Sequence, residues 1–576
     1  MSDHLTVLII GGYGTFGGRI VELLQDDPRL TLQIAGRSLQ RARAFREARG
    51  NARANLVAVA FDRGGDVEAQ LSALRPNIVV DASGPFQTYG YRVIEACIAQ
   101  RMNYLDLADD PNFVAGVSAF DEAASDSGLF VLSGVSSFPV LTAAAVRHLA
   151  TGMEQVDTIR AGIAPSPYAG VGANVIRAIA GYAGQPITLR RNGAQSTGHP
   201  FTEQMRFTIA PPGYFPLRTR MFSLVDVPDL RVLGELWPDV TTVWMGAAPV
   251  PEILHRALIA LAWLVRWRLL PTLSPLAPLM HFVSNHLRWG EHRGGMFVAI
   301  EATDASGAPH RRSWHLIAEG DDGPYIPSMA VAALVLKLLD GLTPRFGARA
   351  ATRDLELGDY QPLFAGRAIE TGFRDELPGH DTPLYAQVLG PVWDRLPIET
   401  RAMHDVVDHA SASGRASVER GRGLLARLVA VVIGFPEPSP DTPVNVRFVA
   451  MNGQETWTRT FGSKSFSTRQ FPGRIKQQFL LCERFGPLTF AMALVVQNAR
   501  LALVPRQWSF LGVPLPMWLS PSVLAYEAVE LGSFHFHVEI SHWLTGLIIR
   551  YRGWLEPDRQ SGLAVAADAA VTHVPG

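Results

Sequence analysis

The hydrophobic pattern changes period along the chain. In the first part, "TVLII" (6–10), "LTLQIA" (30–35), "NLVAVAF", "NIVV", "NYLDLA" and "GLFVLS" are short continuous apolar runs rich in β-branched residues. Such runs suit strands buried on both faces of a parallel sheet. Between them, "FGGRIVELL" and "YRVIEACIAQ" place apolar residues at helical spacing. Six strands alternating with helices predict an α/β domain over residues 1–150, a Rossmann-type doubly wound parallel sheet. Toward the C-terminus the apolar period becomes two. "VNVRFVAMNGQETWTRTF" reads as strand, Asn452-Gly453 turn and strand, the strongest short hairpin signal. A separate, mainly antiparallel β domain with one or two helices is expected over 384–557.

Between these lies a second α+β lobe, 151–372. "VDTIRAGIAP" and "GGMFVAIEATDASGAPHRRSWHLIAEG" read as strands, the latter folded as a hairpin around Asp304 and Gly307. "IPSMAVAALVLKLLDG" reads as a helix ended by Gly341. An apolar insert near 251–290 carries Trp263, Trp267 and Trp289. Its uncharged run is too short to span a bilayer, and Pro271, Pro275 and Pro278 interrupt it. Two readings stay open for it: a buried helix pair over the substrate cleft, or a lipid-facing element with Trp at the interface and Arg snorkelling. Residues 343–382 read as a return crossing and linker.

The first strand runs into "GGYGTFGGRI", with Gly12, Gly14 and Gly17 spaced G-x-G-x-x-G before a helix. This order predicts a dinucleotide site formed by Gly12, Tyr13, Gly14, Thr15, Phe16 and Gly17. Gly12 permits the turn, Gly14 lets backbone approach a pyrophosphate, and Gly17 lets the helix pack against the strand. The second strand ends in Gly36, Arg37 and Ser38, where NAD enzymes usually place an acid for the ribose 2′-OH. A guanidinium and a hydroxyl there favour a 2′-phosphate, so the expected cofactor is NADP, as NADPH. Asp62 after the third strand is a candidate adenine contact. Ser83, Gly84 and Pro85 sit where a doubly wound sheet reverses strand order and takes ligand.

The chain has 576 residues and formal net charge −1, which argues for two or three domains and against nucleic acid as partner. Cys97 and Cys482 are its two cysteines, too few for a disulfide framework. The N-terminus reads without a basic leader region, so a cytoplasmic protein is expected, with peripheral contact at the inner membrane face as an addition.

The combination of "GGYGTFGGRI", "AGRS", "DASGPFQTYG", "EACIAQRMNYLDLADD" and "SGVSSFPVLTAAAV" resembles the NADP-binding domain of saccharopine-dehydrogenase-like oxidoreductases, in the branch with trans-acting enoyl reductases. The pattern "WTRTFG", "ERFGPLTF", "LGVPLP" and "YRGWL" resembles an uncharacterised bacterial domain fused to such oxidoreductases. The first resemblance implies NADP binding and oxidoreductase activity; the second implies no function. This chain departs from the first family's usual pattern at Phe86 and at Ala108-Asp109-Asp110.

The expected reaction is hydride transfer to a small or lipidic C=C, C=O or C=N group. Tyr89, Tyr104 and Asp106 are the candidate acids near the ends of strands four and five. The alternative is a non-catalytic NADP-binding scaffold, membrane-peripheral or redox-sensing, with a lipid-binding C-terminal domain. No metal site is expected: His535, His537 and His542 lack a convincing further ligand. Arg459 and Glu483 are expected to pair inside a barrel or half-barrel, with an apolar helix over 424–435 closing a hydrophobic cavity. A structural or dimerisation role for that domain, and hence a homodimer, is the competing reading.

Overall fold

The structure, a computed structural model, describes residues 4–376 and 382–558. Residues 1–3, and 377–381 of the expected linker, lie outside the described residues. The chain divides into two compact units, one of 1–205 and 221–371 and one of 206–220 and 372–576. The excursion of 206–220 into the second unit was not legible from composition.

In the first unit, β1 (Leu5–Ile10), β2 (Leu30–Gly36), β3 (Asn55–Ala60), β4 (Ile78–Asp81), β5 (Asn103–Asp106) and β6 (Phe130–Ser133) form a parallel sheet in the order 3-2-1-4-5-6. This is the doubly wound order, and β1 beside β4 is its switch point. A further strand, Gly347–Ala350, pairs parallel with β6, so part of the expected linker extends the sheet. Val7, Leu8, Ile9, Leu32, Ile34, Val79, Val80 and Leu105 are fully buried, as the unbroken apolar runs required.

A second, mixed sheet is built around Met153–Ala164, which pairs parallel with Thr242–Ala247 and antiparallel with Arg293–Asp304. Arg293–Asp304 and Pro309–Glu319 form the expected hairpin, turning through Gly307 at φ +82°. The helix Ile326–Leu339 packs back on the helix that follows β1: Tyr325 Oη donates to Glu22 Oε2 at 2.6 Å and Ser328 Oγ to the Phe16 carbonyl at 3.1 Å.

The insert forms helices Glu252–Arg266 and Ala277–His286. It is not a buried pair. Ile253, Trp267, Leu269, Leu279, Phe282 and Trp289 are exposed. Its inner side braces the helix Ala173–Tyr182 and the loops beside it. Asn285 bonds both backbone groups of Val171, and Gln185 Nε2 donates to the Pro271 carbonyl at 2.6 Å.

The second unit is a closed antiparallel barrel. Ten strands follow in the order His409–Arg420, Ser439–Met451, Gln454–Phe461, Lys464–Pro472, Leu481–Phe485, Leu488–Gln497, Arg500–Phe510, Ser522–Glu530, Ser533–His542 and Gly546–Pro557, and the last pairs with the first. Val444, Val446 and Phe448 point inward while Asn445 and Arg447 point out. Asn452 and Gly453, at φ +52° and +70°, make the expected turn, the conformation that right-twisted hairpins favour. Arg459 Nη2 meets Glu483 Oε1 at 3.3 Å inside the barrel.

Candidate functional site: the cleft at the sheet's carboxyl ends

The glycine turn is built by close approach. The N–H groups of Gly11 and Gly12 both reach the Ala35 carbonyl, at 2.9 and 3.0 Å. Gly11, not Gly12, adopts the left-handed conformation, at φ +80°. Gly12 is a glycine because a Cβ would lie 2.8 Å from the Ile9 carbonyl oxygen, and Gly17 because a Cβ would lie 2.3 Å from that of Gly11. The helix Thr15–Leu24 (α1) therefore rests on the backbone of the turn. No side chain caps it and its first turn holds no acid; the Gly14 N–H is taken by the Gly11 carbonyl at 2.8 Å, and the helix's positive end opens beside exposed Gly14 and Thr15.

At the end of β2, Tyr13 folds across Gly36 and its hydroxyl accepts the Ser38 N–H at 3.1 Å. Ser38 Oγ caps the next helix by accepting the Arg41 N–H at 3.3 Å, which leaves its own hydrogen to donate. Arg37 is exposed beside it, and Arg41 lies over the Tyr13 ring at 5.9 Å. Carboxylate is absent from Gly36 to Arg46. Asp62 is spent locally: its Oδ1 accepts the Gly64 N–H at 3.0 Å in a tight turn.

At the switch point, Ser83 donates from Oγ (2.6 Å) and N–H (3.0 Å) to Oδ1 of the buried Asp81. Arg63 Nη1 donates to Ser83 Oγ at 3.1 Å and makes an ionic contact with Asp81 Oδ2 at 3.1 Å, without hydrogen-bond alignment to that oxygen. Its guanidinium lies 3.9 Å from the ring centre of Tyr89. Sequence reading missed Arg63; the available signal was a cation directly after β3, in "FDRGG". The Gly84 carbonyl accepts from Asn174 Nδ2 at 3.0 Å, so the helix braced by the apolar insert reaches the Ser83–Gly84–Pro85 turn.

Of the three candidate acids, Tyr89 alone is exposed. Tyr104 is sealed in the core; burial and the neighbouring Asp106 and Asp81 push its phenol well above the usual range. Asp106 is equally buried and holds strand ends together, its Oδ1 accepting from Ala108 N, Gly134 N and Ser133 Oγ at 2.8–2.9 Å. Burial pushes its carboxyl up to about 7. A different set of titratable groups is coupled through its charges. Tyr182, from the helix touching Gly84, is raised by burial and by Asp226 and Asp109. Asp226 is pushed up to about 6 by burial, with Asp110 adding to the rise and Arg231 opposing it. Asp109 is raised by desolvation although it keeps contact with solvent, and it accepts from Gln87 Nε2 at 3.1 Å. Among the described residues no group of three or more His, Cys, Asp and Glu is placed to hold a metal; His537 instead stacks on Tyr526.

Residues 7–132 match the saccharopine dehydrogenase NADP binding domain. Over those residues the chain carries an NADP-binding domain of the saccharopine dehydrogenase kind. Residues 396–555, nearly all of the barrel, match a domain of unknown function. The chain is 26% identical over 178 residues to a human saccharopine dehydrogenase-like oxidoreductase, covering 28% of this chain and 42% of that one. It is 26% identical over 137 residues to a trans-acting enoyl reductase of Mycobacterium ulcerans, covering 23% and 33%. It is 24% identical over 143 residues to a lipid droplet localized protein of Caenorhabditis elegans, covering 23% and 34%. The matched stretches thus span about a third to two fifths of those relatives' own length. No helix among the described residues is long and apolar enough to cross a membrane.

Proposed function

We propose that the first unit is an NADPH-dependent reductase of a lipidic C=C, C=O or C=N group, with a conjugated C=C the first candidate. The observation that carries the cofactor reading is the end of β2, where exposed Arg37 and the Ser38 hydroxyl stand with no acid beside the glycine turn. When bound, NADPH supplies the hydride. The turn from Gly11 to Gly17 and the uncapped end of α1 would hold its pyrophosphate; Arg37 and Ser38 would hold its 2′-phosphate; Ser83, fixed by Asp81 and Arg63, would meet its nicotinamide half. The protein must also move one proton. Tyr89, whose ring lies against Arg63, is the first candidate, and the Tyr182–Asp226–Asp109 group, in which burial pushes Asp226 up to about 6, is the second.

The lipidic substrate rests on two further points. The insert that braces the helix Ala173–Tyr182 carries exposed Trp267, Leu269, Leu279, Phe282 and Trp289, a pattern suited to a lipid surface. Relatives matched over the cofactor domain are named for enoyl reduction and for lipid droplets. A net charge of −1 offers no nucleic-acid footprint.

The test is a fluorescence titration of NADPH and NADH against wild type and Arg37→Ala, followed by turnover with a long-chain 2-enoyl thioester. Wild type should prefer NADPH, and the variant should lose roughly 10–100-fold in NADPH affinity alone, the worth of one charge-assisted contact. Equal wild-type affinity for the two cofactors would refute the NADPH assignment. The absence of saturated product from the thioester would remove C=C as the first acceptor.

A further inference from the structure

The barrel encloses a cavity of ≈ 210 Å³. One water needs about 10–15 Å³, so the space is that of a chain molecule. Its wall is largely apolar: Val444, Val446, Phe448, Met492, Ile548 and Tyr551 are among the lining residues. The polar residues that also line it are Tyr385, His404, Arg459, Gln470, Glu483, Tyr526 and Glu527.

Glu455, Gln470 and Glu483 stand opposite one another on three successive strands. Each is at most 6% exposed. Arg459 is consumed, donating to Thr468 Oγ1 at 2.8 Å and to Glu483 at 3.3 Å. Thr468 in turn donates to Glu483 at 2.7 Å. His404 bonds Glu527 at 2.6 Å through Nε2, and its ring stacks on Tyr385 at 3.7 Å. The unpartnered buried atoms of the polar side chains at and beside the cavity are acceptors. Gln470 Oε1 and Glu455 Oε1 have no partner. Neither has His404 Nδ1, which is an acceptor when Nε2 carries the proton toward Glu527. Buried acceptors without donors cost about 1–3 kcal/mol each, and a ligand that brings donors removes that cost.

The helix Leu424–Ile433 forms part of the cavity wall. Val429, Ile433 and the following Phe435 line the interior. The other face of the same helix is apolar and exposed: Leu424 is 84%, Leu428 59% and Val432 77% exposed. Exposed Arg422 and Arg427 lie along it, and Trp543 and Leu544 are exposed in the turn that adjoins its start at Gly423. Apolar residues flanked by arginine and tryptophan suit an anionic lipid surface. A protein partner would need charge complementary to those arginines.

We propose that the barrel binds a long-chain amphiphile with a neutral, hydrogen-bond-donating head of the alcohol class, head inward at Gln470 and His404, and that it takes this molecule from a lipid surface on which the helix Leu424–Ile433 rests. A carboxylate head is disfavoured, because it would bring acceptors to a wall that already holds Glu483 and Glu527, with Glu455 opposite Gln470 on the neighbouring strand. The site stands apart from the cofactor reading, and its test needs no cofactor.

The experiment uses the full chain and 11-bromoundecan-1-ol, whose bromine quenches tryptophan; Trp457 lines the cavity. Saturable quenching by the alcohol is expected, with 11-bromoundecanoate at least tenfold weaker. Gln470→Leu should weaken the alcohol about fivefold and leave the carboxylate unchanged. Calorimetric titration of wild type gives the same comparison without any variant. No saturable binding of the alcohol overturns the site, and equal binding of the two probes overturns the assigned head. When the alcohol is offered in phosphatidylcholine–phosphatidylglycerol vesicles, Leu428→Asp with Val432→Asp should slow quenching at least fivefold and leave affinity in free solution within twofold. Unchanged loading from vesicles would overturn the lipid surface as the source.

Discussion

Tyr13 lies directly across Gly36: a Cβ at position 36 would stand 2.5 Å from its ring. The same tyrosine hydroxyl accepts the Ser38 N–H at 3.1 Å. The glycine therefore exists for its neighbour, and the pair sets the backbone that presents Arg37. Gly36→Ala is expected to swing Tyr13 away, release Ser38 and weaken NADPH binding about three- to tenfold, with thermal stability nearly unchanged, because Tyr13 borders solvent. Tyr13→Phe should cost about 1 kcal/mol, the bond to Ser38 alone. Cofactor titration and melting curves of the two variants check this. Full NADPH affinity in Gly36→Ala would detach Tyr13 from the site.

Arg63 is the cation that meets Asp81, a carboxylate with no exposed surface. Removing one member of a buried pair strands the other, at about 3–5 kcal/mol. Arg63→Ala should therefore destabilise the first unit by about 3 kcal/mol and leave Ser83 held by Asp81 alone. Asp81→Asn with Arg63→Ala should recover part of the loss, since no charge is then left buried. Denaturant midpoints of the single and double variants decide it; equal midpoints would mean that water already compensates Asp81.

The parts of the site that could be read from sequence are those fixed by local chemistry. The turn from Gly12 to Gly17 was legible because a buried strand must stop, turn against its own backbone and start a helix within a few residues. The absence of an acid after β2 was equally plain. Position along a strand did not reveal depth: Tyr104 and Asp106 lie near a strand's carboxyl end yet are covered by β4, β6 and the helices between. Arg63 and Asn174 join the Ser83–Gly84 turn from β3's following loop and from the second lobe, and such long-range meetings leave no local pattern. In the barrel, the Asn452-Gly453 hairpin was readable. Closure was not, because it depends on His409–Arg420 pairing with Gly546–Pro557 across the length of the domain. The Arg459–Glu483 pair was anticipated because opposite charges in otherwise inward-facing positions require each other.

Asp106 gives the first unit a pH dependence of definite sign. Its carboxyl sits at about 7 in the fold against an ordinary 3.8, through burial. Between those values the folded state keeps a proton that the unfolded chain has lost, so stability falls as pH rises from about 4 to about 7. Asp229, also pushed up to about 7 by burial, acts in the same direction. Asp106→Asn keeps an oxygen for Ala108, Gly134 and Ser133 and removes the titration. Its unfolding free energy, from urea titrations, should fall less than that of wild type between pH 4.5 and pH 7.5, by an amount on the order of 2 kcal/mol. Parallel pH profiles would show that Asp106 ionises as readily folded as unfolded.

Trp263 and Trp267, one helical turn apart and 5.2 Å between ring centres, should separate packing from surface contact in the insert. Trp263 is half-buried beneath the Arg266 guanidinium, at 4.6 Å, and Arg266 in turn donates to Thr202 Oγ1 at 2.9 Å. Trp267 is 62% exposed, beside Leu269 at 68%. Trp263→Ala opens a gap under that arginine and should cost about 2–3 kcal/mol of stability. Trp267→Ala removes little packing and should change stability by less than about 0.5 kcal/mol. On phosphatidylcholine–phosphatidylglycerol vesicles the order reverses. Losing an interfacial tryptophan forfeits about 1.5 kcal/mol of apolar burial, so Trp267→Ala should sediment with vesicles roughly tenfold less well. Because Trp267 is exposed and its replacement leaves the fold intact, undiminished sedimentation of that variant would assign the insert's apolar face to something other than lipid.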